Sequence, residues 1–166
     1  MKVFIQTVMA YKPHKGRYVP NKPKKYRGDY NNIVYRSSWE RRFMLYCDRS
    51  DAIIEWGSEE IIIPYRSPLD GRMHRYFPDF YIKVKQSDGS IKKMLIEVKP
   101  KAQCGPPPIP QRKTKRFLNE VRTWGVNKAK WDAAIEWCND RDIVFKILTI
   151  NIYNIQITIR LKLIFY

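Results

Sequence analysis

The chain has 166 residues, and 32 Lys and Arg residues against 16 Asp and Glu residues give it a formal net charge of +16. Hydrophobic residues at 44% and aromatic residues at 14% exclude a disordered polyelectrolyte, and the length suits a single domain with one sizeable core. Nucleic acid or an anionic membrane is the expected partner class, because a small neutral substrate would not need such a positive field.

Residues 1–30 are predicted to form a basic and flexible N-terminal arm. Residues 1–28 hold eight Lys or Arg residues and no acidic residue, and Pro13, Pro20 and Pro23 oppose regular structure. One interpretation is a solvated, disordered tail. The other is an arm that lies along DNA phosphates and uses its tyrosines for hydrogen bonds or stacking. A charge run alone favours neither interpretation.

The first predicted helix begins near Ser37. Ser37 and Glu40 form an S-x-x-E capping box directly ahead of the apolar residues Phe43 and Met44, which is a typical helix start. The apolar pattern fades at residues 49–51, where we expect the helix to end.

Three β-rich runs follow, at residues 60–65, 72–84 and 91–98. An Asp-Gly dipeptide separates each run from the next, and Asp-Gly between β-branched and aromatic runs is a strong turn signal. The three runs are therefore predicted to form an antiparallel meander.

The C-terminal half is predicted to contain a stiff loop, helices and a last strand. Residues 101–110 include four prolines and should form the loop. Thr114 can cap a following helix, and a second helix is expected after Gly125, with Asn127 near its start. Residues 143–148 are predicted to be a strand. The order of helix, three strands, helices and strand indicates an α/β fold.

The chemistry-bearing pattern is Pro78-Asp79 followed by Glu97-Val98-Lys99. Proline is rare inside a central strand, so a bend is expected next to Asp79. Glu97 and Lys99 are two residues apart and share one face of their strand. Because the two strands are consecutive, the carboxylates of Asp79 and Glu97 can converge, and hard oxygen ligands suit Mg²⁺ or Mn²⁺. A lysine beside such a metal suits phosphodiester hydrolysis.

A plainer interpretation exists for each of these residues. Glu97 and Lys99 can belong to a solvated strand with alternating charge, and Asp79 can cap a turn, since short motifs match by chance. Glu40 is already explained by its capping box with Ser37. Its functional interpretation is a helix carboxylate that reaches the same metal site.

Several blocks of the chain together match a known family. The main blocks are Tyr35-Arg36-Ser37-Ser38-Trp39-Glu40, Trp56-Gly57-Ser58-Glu59, Arg75-Tyr76-Phe77-Pro78-Asp79-Phe80, Ile96-Glu97-Val98-Lys99-Pro100-Lys101 and Lys115-Arg116-Phe117-Leu118-Asn119-Glu120. In these blocks the sequence resembles the head completion nucleases of T-even-type tailed phages, a family of the PD-(D/E)xK nuclease superfamily, which also includes transposon-end endonucleases and many restriction enzymes. The resemblance spans about residues 9–149.

This resemblance implies a restriction-endonuclease-like mixed sheet flanked by helices. By motif matching it implies that Asp79 and Glu97 are metal ligands, that Lys99 is the catalytic lysine, and that Glu40 is the carboxylate of the first motif. The implied activity is that of a Mg²⁺-dependent endodeoxyribonuclease, with Mn²⁺ as a substitute ion. The implied role is late in phage head assembly, after DNA packaging.

The predicted domain organisation is an arm at 1–30, a nuclease domain at 31–149 and an atypical extension at 150–166. The extension alternates Ile or Leu with polar residues, which is typical of an amphipathic strand. Residues 1–8 precede the start expected for the family, and Met9 is the expected initiator.

Other protein classes are disfavoured by the cysteines and by the C-terminal end. The three cysteines are odd in number and lack CxxC spacing, which argues against a disulfide scaffold or zinc ribbon and indicates a reducing setting. The last twenty residues are Ile-rich but contain Arg160, Lys162 and several amides, so they fail as a membrane-spanning helix.

The expected partners are double-stranded DNA and proteins of the phage head or portal vertex, without a membrane, in the host-cell cytoplasm or the virion head. Two alternatives stay open: a non-catalytic DNA-binding protein of the head vertex, and a restriction-type or junction-type nuclease. Eight basic residues are predicted to contact DNA: Lys24, Lys25, Arg27, Lys101, Arg112, Lys113, Lys115 and Arg116.

Overall fold

The computed structural model describes residues 14–150, and all structural statements concern that part of the chain. Two α-helices and eight strands follow one another in this order: β1 (Gly16–Arg17), β2 (Val34–Tyr35), α1 (Ser38–Arg49), β3 (Ile53–Ser58), β4 (Ile63–Arg66), β5 (Met73–Tyr76), β6 (Phe80–Lys85), β7 (Ile91–Pro100), α2 (Lys115–Asn139) and β8 (Val144–Ile150).

The central sheet has the strand order β3-β6-β7-β8. Its first two pairings are antiparallel, whereas β7 and β8 run parallel because α2 carries the chain from one to the other. The sheet is therefore mixed and has helices beside it, which confirms the predicted α/β fold class. Two-stranded sheets β1-β2 and β4-β5 complete the described architecture.

Each face of the central sheet has its own apolar core. Phe80, Ile82 and Ile96 contribute to a cluster with α1, whereas Tyr81 and Leu95 contribute to a second cluster with α2 and the β4-β5 hairpin. The alternation follows from the two-residue period of a strand. No helix of residues 14–150 is both long enough and apolar enough to cross a membrane.

Helix α1 begins where its capping box predicts. The Ser37 hydroxyl accepts the backbone N–H of Glu40 at 3.1 Å, and the helix ends at Arg49, as expected. Phe43 and Met44, which belong to α1, are buried in the apolar core between this helix and the central sheet.

The described part of the predicted N-terminal arm packs onto the domain. Tyr18 and Tyr26 are buried, and each ring meets Trp56 edge-on, at centroid distances of 5.8 and 4.8 Å. Neither tyrosine is available for stacking on nucleic acid. The burial of these rings outweighs the local breaks that the prolines impose. Residues 1–13 lie outside the described part, and the predicted domain boundaries stay a prediction.

A buried carboxylate fixes this segment to α1. Asp48 is fully buried and accepts hydrogen bonds from the backbone N–H groups of Asn21 and Lys22, at 2.7 and 2.9 Å, and from the Tyr18 hydroxyl at 3.2 Å. A buried carboxylate with several donors is tolerated because its lone pairs are satisfied. The arm is thereby held across the end of α1.

The predicted three-strand meander is divided between two sheets. The run at 72–84 stops being a strand at Phe77, Pro78 and Asp79, so that β5 pairs with β4 and β6 pairs with β7. Pro78 is buried and has no N–H to donate to a ladder, which explains the interruption. Strand β3 was not predicted. It has a register shift between Ile53 and Glu55 that obscures its alternation.

Helix α2 is continuous over 25 residues, and the predicted division after Gly125 is wrong. The Thr114 hydroxyl caps it by accepting the N–H of Phe117 at 3.2 Å, as expected. Trp131, Ala134 and Cys138 anchor its second half on the sheet, and this burial outweighs the weak helix propensity of one glycine. Asn127 is a buried mid-helix residue and not a cap. The last strand is confirmed as β8.

Candidate active site

Asp79 and Glu97 meet because their strands are neighbours. Asp79 directly precedes β6, whose first residue, Phe80, pairs with Ile96 of β7. The Asp79 Oδ2 atom accepts the backbone N–H of Val98 at 2.7 Å, and this hydrogen bond ties the segment between β5 and β6 to strand β7. The expected convergence of the two carboxylates is therefore present.

Glu97 is almost completely buried, at 3% exposure, and both of its oxygens have partners. The Lys99 Nζ atom lies 2.7 Å from Glu97 Oε1, and the Tyr76 hydroxyl donates to Glu97 Oε2 at 2.8 Å. Lys99 and Glu97 share one face of β7, as the spacing predicts. Two bonds of this kind fix the orientation of the Glu97 carboxylate.

Burial and the charge of Glu97 disfavour the ionised form of Asp79. Burial, followed by the charge of Glu97, raises the pKa of Asp79 to about 7, although the Val98 N–H and Lys99 act in the opposite direction. Burial alone would lower the pKa of Lys99. The attraction and hydrogen bond of Glu97 outweigh it and raise that pKa above its ordinary value. Lys99 is therefore an ammonium group at neutral pH.

Glu40 lies at the edge of this acidic group. Its Oε1 atom accepts the Ser37 hydroxyl at 2.8 Å, and its Oε2 atom accepts the backbone N–H of Arg36 at 2.7 Å. Its negative charge also contributes to the raised pKa values of Asp79 and Lys99. The capping interpretation of Glu40 is thus confirmed, and its catalytic role stays a prediction.

The donor set of Asp79 and Glu97 fits a hard divalent cation. Both are carboxylates, and a cation between them would relieve the repulsion that raises the pKa of Asp79. Within residues 14–150, however, no group of three or more His, Cys, Asp or Glu side chains is placed closely enough to hold a metal ion. Glu40 is therefore not brought into a three-carboxylate cage with Asp79 and Glu97.

The predicted DNA contacts fall into two groups. Lys24, Lys101, Arg112, Lys113, Lys115 and Arg116 are exposed, although Arg116 also pairs with Glu120 at 2.9 Å. Lys25 instead donates to three carbonyl oxygens at the end of α1. Arg27 is also exposed, but its guanidinium lies over the Tyr81 ring at 4.9 Å and its Nη1 atom lies 3.7 Å from Glu55 Oε1. The ammonium of Lys25 is used inside the protein, which makes it a poor phosphate contact.

Three residues beside the site were not assigned a role from the sequence. The hydroxyl of Tyr76 donates a hydrogen bond to Glu97. Arg36 forms an ion pair with Glu59, whose backbone N–H donates to the carbonyl oxygen of Asp79 at 3.2 Å. No spacing rule joins these residues, because their contacts arise only when three separate segments fold together.

The fold and the site define the class of this protein. The family model described as TnsA-like endonuclease N terminal matches residues 50–150, a range that includes Asp79, Glu97 and Lys99. The chain belongs to this endonuclease family, and it is a hydrolytic endonuclease.

A curated relative extends the comparison over most of the chain. The chain is 44% identical over 145 residues to the head completion nuclease of Enterobacteria phage T4, which covers 85% of this chain and 92% of that relative. No solved structure matches. The comparisons confirm the resemblance to the head completion nucleases.

Proposed function

We propose that this chain is a Mg²⁺-dependent DNA endonuclease that acts in phage head completion after DNA packaging. The observation that carries the proposal is the contact between the Asp79 carboxylate and the Val98 N–H, which places Asp79 beside Glu97 and Lys99. The role in head completion rests on the name of the T4 relative. By the same reasoning, proteins of the head or portal vertex are its proposed partners, in the host-cell cytoplasm or the virion head.

Asp79 and Glu97 are the proposed metal ligands, and Glu40 is the proposed additional carboxylate. Magnesium bound there would supply Lewis-acid polarisation of the phosphate and a more acidic water. Mn²⁺ is expected to substitute for Mg²⁺, because both ions bind the hard oxygen atoms of carboxylates. Tyr76 keeps the Glu97 carboxylate oriented through its hydroxyl.

Lys99 is proposed to act through its positive charge. Its ammonium lies 2.7 Å from Glu97, and its raised pKa favours the protonated form. In that form it can donate a hydrogen bond to the attacking water or to a phosphate oxygen, and it offsets the charge that develops on the phosphate. An arrangement of two acids and one ammonium suits hydrolysis of a phosphodiester.

The test is DNA cleavage by purified protein. Linear and supercoiled duplex DNA would be incubated with Mg²⁺, Mn²⁺ or EDTA, with wild type beside Asp79→Ala, Lys99→Ala and the exposed control Asp51→Ala. We expect metal-dependent cutting by wild type and the control, and losses of orders of magnitude in both site variants with DNA binding kept. Retained binding without cutting under any of these ions would refute the proposal and support a structural DNA-binding role.

The same assay separates the remaining alternative. A junction-type or restriction-type nuclease would prefer four-way junctions or a defined sequence. A matched four-way junction is therefore digested as a second substrate beside the supercoiled plasmid. A strong preference for that junction would overturn the assignment to head completion while leaving Asp79, Glu97 and Lys99 as the catalytic group.

A further inference from the structure

An arginine outside the catalytic group is held at the edge of the site by a carboxylate. The Arg36 Nη1 atom donates to the Glu59 Oε1 atom, and the two side chains are 55% and 36% exposed. Arg36 lies immediately before the cap of α1, and its backbone N–H donates to Glu40. The same residue therefore contacts Glu40 through its backbone and Glu59 through its guanidinium.

Glu59 is tied to the site through its backbone. Its N–H donates to the carbonyl oxygen of Asp79 at 3.2 Å, and its φ of 56° is in the left-handed region. Such a conformation is unfavourable for a residue other than glycine, and it persists only where the surroundings impose it. The hydrogen bond to Asp79 thus helps to position Glu59, whose carboxylate holds Arg36.

The guanidinium lies in the field of the catalytic carboxylates. The hydrogen bond with Glu59 is the largest cause of the raised pKa of Arg36, and the charges of Glu40 and Asp79 add to it. Unlike Lys99, Arg36 is more than half exposed and can reach a ligand from solvent. A guanidinium binds carboxylates and phosphates with the same planar fork, so one can replace the other.

We propose that Arg36 binds a backbone phosphate of DNA at the cleavage site, and that Glu59 holds the guanidinium in place until the phosphate replaces it. This inference rests on the proposed nuclease function, since it places the arginine on the same substrate. Exchange of one anion for another leaves Arg36 paired at every stage. The position of the arginine is therefore set before DNA arrives.

The test compares this ion pair with a matched one. Lys22 and Asp51 also form an exposed pair between distant segments, at 2.8 Å, but the pair lies beside Asp48, the residue that fixes the arm. Binding of a fluorescent 20-base-pair duplex would be measured by anisotropy in EDTA across a salt series. The variants are Arg36→Gln, Arg36→Lys and Glu59→Gln, with Lys22→Gln and Asp51→Asn as charge-matched controls.

We expect Arg36→Gln to weaken binding about tenfold and to lower the log–log salt slope by about 0.9, the effect of one lost phosphate contact. Glu59→Gln should tighten binding more than Asp51→Asn, although both raise the net charge by one. Arg36→Lys should recover part of the affinity, since it keeps the charge without the fork. Circular dichroism would verify that each variant is folded.

Two results would overturn the inference. The first is that Arg36→Gln binds DNA no worse than Lys22→Gln. The second is that Glu59→Gln weakens DNA binding, which would mean that Glu59 stabilises the DNA complex and does not compete with the phosphate. Wild-type cleavage with Mg²⁺ is measured in the same series. If wild type cuts DNA and Arg36→Gln binds DNA no worse than Lys22→Gln, the phosphate contact is refuted and the nuclease proposal stands. If DNA binding depends on Arg36 but wild type does not cut, the nuclease proposal is refuted.

Discussion

The Asp79 carboxylate is placed where a negative charge is unfavourable. Its pKa of about 7 results from burial first and from the charge of Glu97 second. In the unfolded chain an aspartate has its ordinary pKa near 3.8, so the folded protein retains a proton that the unfolded chain has lost as pH rises from about 4 to 7. Without metal, this group destabilises the fold at neutral and higher pH.

Asp79→Asn is therefore expected to stabilise the metal-free protein while abolishing cleavage. At pH 8 in EDTA the free energy of unfolding should rise by about 1–3 kcal/mol, because a neutral amide replaces the disfavoured charge and can still accept the Val98 N–H. At pH 4 the difference should nearly vanish. Urea denaturation at both pH values measures this, and a variant less stable than wild type at pH 8 would contradict it.

Tyr76 is the buried residue that orients Glu97. Tyr76→Phe removes a hydroxyl that donates to Glu97 Oε2 and leaves that oxygen without a partner. We expect cleavage to fall about 10–100-fold and the Mg²⁺ midpoint to rise, as for other groups that orient metal ligands. The control is Tyr65→Phe in the same core cluster. Single-turnover cleavage across a Mg²⁺ titration measures the effect, and equal rates and midpoints in both variants would contradict it.

At the scale of elements, caps and hairpin turns could be predicted from neighbouring residues, whereas pairing between distant strands could not. The caps at Ser37 and Thr114 were predicted because a cap depends on residues three positions apart. The convergence of Asp79 with Glu97 was predicted because a short hairpin joins their strands. The antiparallel pairing of β4 with β5 was predicted from the Asp70-Gly71 turn between them. The pairing of β3 with β6 joins segments far apart in the chain and depends on tertiary contacts that periodicity does not encode.

Gly125 shows how tertiary packing overrides a local signal. The sequence suggested a break there, but α2 continues through it, and a Cβ atom added at this position would lie 3.8 Å from Pro68 Cγ, an ordinary contact. Burial of Trp131 and Ala134 further along holds the helix in place. The glycine is therefore a weak point that the fold tolerates and does not require.

Gly125→Ala is expected to raise the free energy of unfolding by roughly 0.5–1 kcal/mol, because alanine loses less backbone entropy in a helix. The matched control is Gly71→Ala, which should destabilise the protein because Gly71 has a φ of +67°. Urea denaturation of both variants measures the two effects. A destabilised Gly125→Ala variant would show that the contact with Pro68 is too tight for a methyl group.

At the scale of the whole molecule, the net charge of +16 does not define a DNA surface by itself. Lys25 donates to the carbonyl oxygens of Cys47, Asp48 and Ser50, where it satisfies the end of α1. Arg112 and Lys113, in contrast, are exposed in the segment between β7 and α2. The structure thus separates basic residues that hold the fold from basic residues that are free to meet phosphate.

This separation predicts two different results from removing positive charge. The double variant Arg112→Gln, Lys113→Gln should lower the log–log salt slope of DNA binding by just under two, at unchanged stability, because each lost contact contributes about 0.9. Lys25→Met should leave the slope unchanged and lower the free energy of unfolding by about 1–3 kcal/mol, because three buried or half-buried carbonyls lose a donor. Anisotropy across a salt series and urea denaturation measure the two quantities. A reduced slope in Lys25→Met would show that a charge held by the end of α1 still contributes to DNA binding, which would contradict this separation.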